Sequence, residues 1–446
     1  MDTLVIIVEG LVVLVCISLG VRMGGMAIGL WGGVGVLILS TVFGLTPGSV
    51  PTSAILIILA VVTAAGAMQI AGGIDWLVTI ADKTIRKRPQ QITTIAPLTT
   101  YAFTVGAGTG NVYYSLLPVI EEVSYENDIR PERPLGISPV ASQLGITSTP
   151  VGSAMAAMVG LMAPLGFEIQ HILSIVIPST LVGIIVTALV QKKRGKELED
   201  DEEYQKRLAA GEIEAPHAEI VETTDLPPTA RISAFIFLIG VVSIVFFGFF
   251  EDLRPPKVGF RDVDPMSMTL LIQIIMFTVG VIILVVTKAD VGKIKNSQVF
   301  QSGMVAIVAL FGVAWMANTF IEANQDVIVD ALSGLVDKSV LFIALGLFLM
   351  AALTTSQTST TLTIIPIGIA LGIAPQFLVA MWPAVIGIYL LPANGGQIAT
   401  VQFDRSGTTR IGKYVFNHSF LVPMLIAGSV TVAVGMVVAT LLYGGS

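Results

Sequence analysis

Apolar residues dominate the chain in twelve stretches, at about residues 4–21, 24–45, 53–74, 92–121, 136–163, 170–190, 231–250, 267–287, 301–321, 339–373, 378–401 and 419–443. A membrane-crossing helix consumes about 20 consecutive apolar residues, and most of these stretches have that length. They are continuous rather than alternating with period two, which argues against a transmembrane β-barrel. The pattern predicts an all-α polytopic membrane protein. The first stretch has no Lys or Arg before it and contains Glu9, so it lacks the basic n-region of a cleaved signal peptide and reads as the first helix.

Two stretches do not fit a simple span. Residues 92–121 would form a helix of about 45 Å, and are interrupted halfway by Gly106-Ala107-Gly108-Thr109-Gly110-Asn111. Residues 339–373 are interrupted by Thr354-Thr355-Ser356-Gln357-Thr358-Ser359-Thr360-Thr361. Each half alone is too short to cross. Both are read as re-entrant hairpins with polar tips near the midplane, a geometry tolerated where the tip is buried in protein or lines an aqueous cavity.

Charge supports that reading. With two hairpins, ten spans and the N-terminus outside, the outer side keeps only Arg254, Lys257, Arg261 and Lys338 of the 24 basic residues. That is a strong positive-inside bias, and it places both termini on the periplasmic side. Each half of the chain then reads three spans, a hairpin and two spans, in opposite orientations: residues 1–190 form one inverted repeat and 231–446 the other. The net-acidic stretch 191–230 joins them as a cytoplasmic linker. The span after each hairpin, 136–163 or 378–401, is itself broken, at Thr147-Ser148-Thr149-Pro150 and at Pro392-Ala393-Asn394-Gly395-Gly396. Thr149 before Pro150 reads as an N-cap followed by proline at the first helical position.

Interrupted segments in matching places of two inverted halves point to a transporter's central site. Four half-helix N-termini are expected there, near Asn111, Thr149, Thr358 and Asn394. Each presents roughly half a positive charge, and no Lys or Arg falls at that depth. A small dianion would be held by Gly108, Thr109, Gly110, Asn111, Thr147, Ser148, Thr149, Ser356, Gln357, Thr358, Ser359, Asn394 and Gly395. Gly25, Gly29 and Gly33 read instead as a packing stripe. Glu9, inside its span, is an intramembrane acid and therefore a functional candidate, set against a structural role near the interface.

Composition narrows the function further. Of the residues, 54% are apolar and 12% charged, against about 25% charged in soluble domains. The net charge is −7 with no basic stripe, so nucleic acid is not an expected partner. The single cysteine, Cys16, lies in the first stretch and reads as a packing residue. His171, His217 and His418 fall in loops or at span ends, so neither a metal site, a cofactor nor an enzyme's catalytic residues are expected.

Val21-Arg22-Met23-Gly24-Gly25-Met26-Ala27-Ile28-Gly29, Gly108-Thr109-Gly110-Asn111, Ile129-Arg130-Pro131-Glu132-Arg133-Pro134-Leu135 and the run from Gln402 to Phe420 resemble the anaerobic C4-dicarboxylate transporter family along essentially the whole chain. The resemblance implies exchange of fumarate, malate or aspartate for succinate across a bacterial inner membrane, or uptake coupled to a cation. It further implies small dicarboxylates and membrane lipid as partners, a homodimer by analogy, and a sensor histidine kinase as a partner of some members. Ala393-Asn394-Gly395-Gly396 departs from the family pattern, which often has a second proline and an aromatic residue there. The competing readings are an ion or proton antiporter, a membrane-embedded enzyme and a sensor; no Asp or Glu lies in a hairpin tip or helix break, as an antiporter would usually need.

Overall fold

The computed structural model describes residues 3–23, 26–50, 52–110, 112–211, 213, 226–250, 253–255, 266–336, 340–391, 394–411 and 417–444. Among them there is no β-strand. In lipid, every backbone polar group needs an internal partner, and a helix supplies it. Hydroxyls inside the helices follow the same rule: Thr63 donates to the Leu59 carbonyl at 2.7 Å and Thr187 to that of Gly183 at 2.7 Å.

The first half comprises α1 (Thr3–Met23), α2 (Ala27–Thr41), α3 (Thr52–Ile70), α4 (Gly73–Arg86), α5 (Ile92–Ala107), α6 (Val112–Glu126), α7 (Glu132–Ser148), α8 (Ser153–Met162) and α9 (Ile169–Gln191). After the short α10 (Glu202–Ala209) the second half comprises α11 (Pro228–Phe249), α12 (Met268–Thr287), α13 (Gln298–Val336), α14 (Phe342–Thr354), α15 (Gln357–Ala370), α16 (Pro375–Met381), a 3-10 segment at Trp382–Tyr389, α17 (Gly395–Phe403) and α18 (Leu421–Tyr443).

Six helices among the described residues are long and apolar enough to cross a membrane, or seven if the bent α3–α4 pair is one span. The protein is a multi-pass membrane protein. The remaining apolar helices, including α2 and α14, are shorter than a full span, so length alone does not give the ten crossings expected from the sequence. The third apolar stretch also ends earlier than its composition suggests. At Gly72, with φ of +81°, the chain turns by 72° into α4, which buries Ile74, Leu77, Ala81 and Ile85 on one face. Their spacing of three to four residues is that of an amphipathic helix, where the sequence reading had a basic inner loop.

Packing repeats between the two halves. α1 lies on α2 as α11 lies on α12; α2 packs on α13 as α12 packs on α3; α5 packs on α7 as α14 packs on the 382–389 segment; and α9 pairs with α18. Two cross-half contacts are equivalent as well, α6 with α17 and α15 with α8. The α2–α13 crossing is backbone on backbone. A Cβ on Gly29 would overlap the Val308 carbonyl, one on Gly32 the Gly312 carbonyl, and one on Gly312 the Gly29 carbonyl. The packing glycines are therefore Gly29 and Gly32; Gly33 has open space beside it, and Gly25 lies outside the described residues.

The first half of the linker is folded onto the body. Arg130 at the α7 entrance donates to Asp201 at 2.6 Å and to Glu132 at 2.9 Å, Arg133 donates to Glu197 at 2.7 Å, and the Tyr204 hydroxyl meets that of Tyr125 at 3.0 Å. These arginines are ion-paired and buried, so the linker's acids are part of what holds them.

Candidate substrate site

The two interrupted stretches fold as two helix pairs, α5–α6 and α14–α15, each joined by a tight turn. The left-handed residue that ends the first helix is Gly108 in one turn (φ +73°) and Thr355 in the other (φ +51°). Glycine adopts that backbone without penalty; a β-branched threonine does so rarely. Thr355→Gly is accordingly expected to raise the unfolding temperature slightly, by the equivalent of about 1 kcal/mol, the cost of holding an L-residue left-handed. Thermal unfolding in detergent reads this directly.

The breaks in the following helices differ in detail from the sequence reading. α7 continues through Ser148 and Thr149 is extended (φ −88°, ψ 131°). The new helix starts at Ser153 with Gly152 as its N-cap, not at Thr149. The Thr149 hydroxyl is occupied elsewhere, donating to the Val105 carbonyl at 2.7 Å and accepting from Val151 N at 3.3 Å. It closes the break against α5 instead of capping α8. In the second half a helix does start near Asn394, which is its N-cap. Its side chain accepts from Gly396 N at 2.9 Å, and the Gln397 side chain accepts from Asn394 N at 3.2 Å, a capping box at the start of α17.

These starts meet at one place. A cavity of about 170 Å³ is lined by Gly108, Thr109 and Gly110 before α6, Ser153 at the start of α8, and Gly396 in the first turn of α17, together with Tyr113, Tyr114, Gln143, Ile146 and Tyr389. The start of α15 is one hydrogen bond away. Thr358 Oγ1 lies 3.1 Å from Ser153 Oγ, and Gln357 Nε2 donates to the Gln143 carbonyl at 3.0 Å and to its Oε1 at 3.2 Å. Gln143 and Tyr389 both line the cavity. No Lys or Arg is among the described lining residues.

The expected site residues thus separate. Gly108, Thr109 and Gly110 line the cavity; Thr358 and Gln357 contact its wall; Asn394 and Gly395 form the α17 start beside it. Asn111 lies outside the described residues. Thr147 and Ser148 are buried and bond back to the Leu144 carbonyl, and Ser148 also meets Thr180 at 3.1 Å, tying α7 to α9. Ser356 is the N-cap of α15, its hydroxyl taken by Ser359 N at 3.2 Å. Most of the threonine-rich tip is likewise spent internally, with Thr360 and Thr361 bonding to carbonyls four residues back. Tyr113, Tyr114, Gln143 and Tyr389 were missed from the sequence. The available signals were an aromatic pair directly after a glycine break and a lone glutamine inside an apolar stretch.

Toward the linker side, α6 and α17 run together and end in a salt bridge. Arg405 Nη2 lies 2.9 Å from Glu121 Oε2 and its guanidinium sits 5.2 Å from the Tyr125 ring centroid. The hydrogen bond to Glu121 raises the Arg405 pKa above its ordinary value. Arg405 is therefore engaged in an ion pair. The pair is asymmetric, since Glu121 is 4% exposed and Arg405 50%. Arg405→Ala strands a buried carboxylate and is expected to cost about 3 kcal/mol. Glu121→Gln leaves an arginine that water can reach and should cost about 1 kcal/mol or less. Paired unfolding midpoints in detergent test this; equal losses would contradict the assigned burial.

Over residues 5–443 the chain matches the family described as anaerobic C4-dicarboxylate membrane transporter. It is 38% identical over 445 residues to the anaerobic C4-dicarboxylate transporter DcuB of Escherichia coli O6:H1, covering 98% of this chain and 99% of that protein. It is 39% identical over 438 residues to the C4-dicarboxylate transporter DcuA of Wolinella succinogenes, covering 98% of this chain and 100% of the relative. Among solved structures, the YdaH transporter of Alcanivorax borkumensis aligns with a TM-score of 0.57 over 93% of this chain and 89% of that one, at 14% identity, a likeness of fold.

Proposed function

We propose, for a chain that belongs to the anaerobic C4-dicarboxylate membrane transporter family and is a transporter rather than an enzyme, that it exchanges C4-dicarboxylates such as fumarate, malate, aspartate and succinate across a bacterial inner membrane. The observation that carries the reading is the polar cavity where the starts of α6, α8 and α17 meet, with that of α15 alongside and no described cation in its wall. Its volume, about 170 Å³, lies below the roughly 300–1,000 Å³ of pockets for drug-sized ligands and suits a small solute. Helix N-termini supply positive potential and N–H donors without a fixed charge. Tyr114, Tyr389, Gln143, Thr109 and Ser153 supply neutral hydrogen-bond groups.

Exchange follows from the charge balance. Four helix ends amount to about two positive charges, which a dianion offsets. The loaded carrier then crosses as a neutral body and the empty one does not, so each turnover swaps one dianion for another. The α5–α6 and α14–α15 pairs are read as re-entrant hairpins, and residues 1–190 and 231–446 as inverted repeats joined by the 191–230 linker, with both termini periplasmic. The reciprocal packing of α2 on α13 and α12 on α3 supports this, as do the matched left-handed turns at Gly108 and Thr355. Ten crossings result when α1, α2 and the two broken helices are each counted as one.

Calorimetry on the purified protein tests the ligand class. Succinate should bind and its monomethyl ester or an amine of the same length should not; binding of the amine alone would refute the reading. Gln143→Ala removes a cavity-lining amide whose oxygen accepts from Gln357 and is expected to weaken succinate binding about tenfold, equivalent to one or two hydrogen bonds.

A further inference from the structure

The 382–389 segment ends at Tyr389, and the last carbonyls of a helix have no partner within it. Here side chains take them. Gln397, in the first turn of α17, donates from Nε2 to the Tyr389 carbonyl at 3.0 Å, and His418, ahead of α18, is bonded through Nε2 to the Leu390 carbonyl at 3.0 Å. A carbonyl oxygen only accepts, so His418 Nε2 carries the hydrogen and donates it. Both side chains are buried, Gln397 at 0% and His418 at 3% exposure. The oxygen of the Gln397 amide accepts from Asn394 N, so this residue staples the helix before the break to the one after it. His418 Nδ1 is buried without a hydrogen-bond partner, which leaves the bond to Leu390 to orient the ring.

We propose that His418 is a positioning residue for the substrate site: by holding the Leu390 carbonyl it fixes Tyr389 in the cavity wall, although it is not itself among the described lining residues. This rests on the dicarboxylate reading above. Placement matters at Tyr389 because its hydroxyl has little room. A Cβ on Gly396, another residue of that wall, would stand 2.6 Å from it. The Phe420 ring, two residues beyond His418, has its centroid 6.1 Å from that of Tyr389 and 6.1 Å from that of His418. One short stretch of chain therefore holds the backbone next to Tyr389 and backs its ring as well.

That stretch has a firm base. Ser419 N donates to the Arg410 carbonyl at 2.9 Å, and Ser419 Oγ accepts from Arg410 N at 3.0 Å and donates to Glu132 Oε1 at 2.8 Å. Arg194 Nη1 donates to the Ser419 carbonyl at 2.8 Å, and Thr408 Oγ1 accepts from Glu132 N at 3.1 Å. These bonds tie the residue beside His418 to the start of α7 and to the chain just past α9. His418 thus reaches the second half's broken helix from a platform anchored on the first half, and the run from Gln402 to Phe420 acquires a role at the site. Without the donor the Leu390 carbonyl is left unpartnered, a costly state for a buried acceptor. Its peptide can find another partner only by turning, and the turn carries Tyr389 with it.

The test compares purified wild type, His418→Gln, His418→Asn and His418→Leu by succinate calorimetry and by tetranitromethane nitration mapped with mass spectrometry. Glutamine can place an amide N–H where the imidazole Nε2–H lies, asparagine falls short and leucine has no donor. His418→Gln should bind succinate within about threefold of wild type, and the Asn and Leu variants about tenfold more weakly, the worth of one hydrogen bond. In a Tyr389→Phe background the His418→Leu penalty should shrink below about threefold, because the hydroxyl it misplaces is gone and the two changes no longer add. An equal penalty in both backgrounds, or equal binding by the Gln and Leu variants, overturns the proposal. Nitration reads the same placement without ligand: Tyr389 should be protected in wild type and His418→Gln and modified in the Asn and Leu variants, and equal modification throughout overturns the role. Wild type that binds no succinate yet shows this nitration pattern supports the positioning of Tyr389 and counts against the dicarboxylate reading. Loss of the folded protein in both the Asn and Leu variants, where His418→Gln folds, makes the bond purely structural and overturns the proposal.

Discussion

Gly396→Val is expected to abolish dicarboxylate transport while leaving the protein folded and inserted. Gly396 lies in the first turn of α17 and forms part of the cavity wall. A Cβ there would stand 2.6 Å from the Tyr389 hydroxyl and 3.2 Å from Asn394 Oδ1. Tyr389 is 1% exposed and packs toward Phe420 with ring centroids 6.1 Å apart, so it has little room to retreat. Valine would both push on that hydroxyl and fill space in a cavity of only about 170 Å³. Overpacking of this kind costs about 1–3 kcal/mol, and because the added atoms occupy the substrate's place the loss appears in binding, tenfold or more. Gly396→Ala, with one added carbon, should fall between. Transport by the valine variant at more than a tenth of the wild-type rate would mean the cavity is not the route.

Gly312→Leu should act on the opposite property. The atoms a side chain would meet are the carbonyl oxygen, carbonyl carbon and Cα of Gly29, the last at 2.7 Å. None of these can rotate away. The helices would have to separate along a contact that membrane proteins hold by close backbone packing, without a hydrophobic driving force to restore it. The expected cost is at or above the upper end of the about 1–3 kcal/mol typical of overpacking, and it falls on folding rather than on substrate affinity. Size-exclusion profiles of a fluorescent fusion should show loss of the monodisperse peak. Gly33→Leu is the internal control, because a Cβ at Gly33 meets nothing within 4 Å. Equal damage from both would contradict the assigned crossing.

The sequence carries the breaks clearly because their chemistry is local. Gly108, Asn394 and the threonine-rich turn at 354–361 interrupt apolar stretches, and each interruption is a helix end in the structure. What a residue does at a break is less local. Thr149 before Pro150 has the signature of a cap, yet its hydroxyl is claimed by Val105 from the preceding helix pair, and the helix starts four residues later. Thr147 and Ser148 were expected at the substrate for their polarity, whereas their hydroxyls satisfy the α7 backbone and α9.

The cavity's other half was illegible for a different reason. Tyr113, Tyr114, Gln143 and Tyr389 sit within otherwise apolar stretches and come together only through the contact of α6 with α17 and of α7 with the 382–389 segment. Arg130, Arg133 and Arg405 were read as topology signals. Their partners Asp201, Glu197 and Glu121 lie 71, 64 and 284 residues away, a pairing no spacing rule exposes. The resemblance at residues 402–420 pointed to the family, and the match over residues 5–443 establishes it.

A cavity at four helix ends, with no Lys or Arg among its described lining residues, is proposed to hold a dianion and to cross the membrane readily only when filled. Proteoliposomes at equal pH inside and out, loaded with unlabelled succinate or with buffer alone and then given labelled fumarate, test it most directly. The account predicts rapid uptake into the loaded vesicles, unchanged by an imposed membrane potential, and little into the empty ones. Uptake of the same rate and extent in both would contradict it.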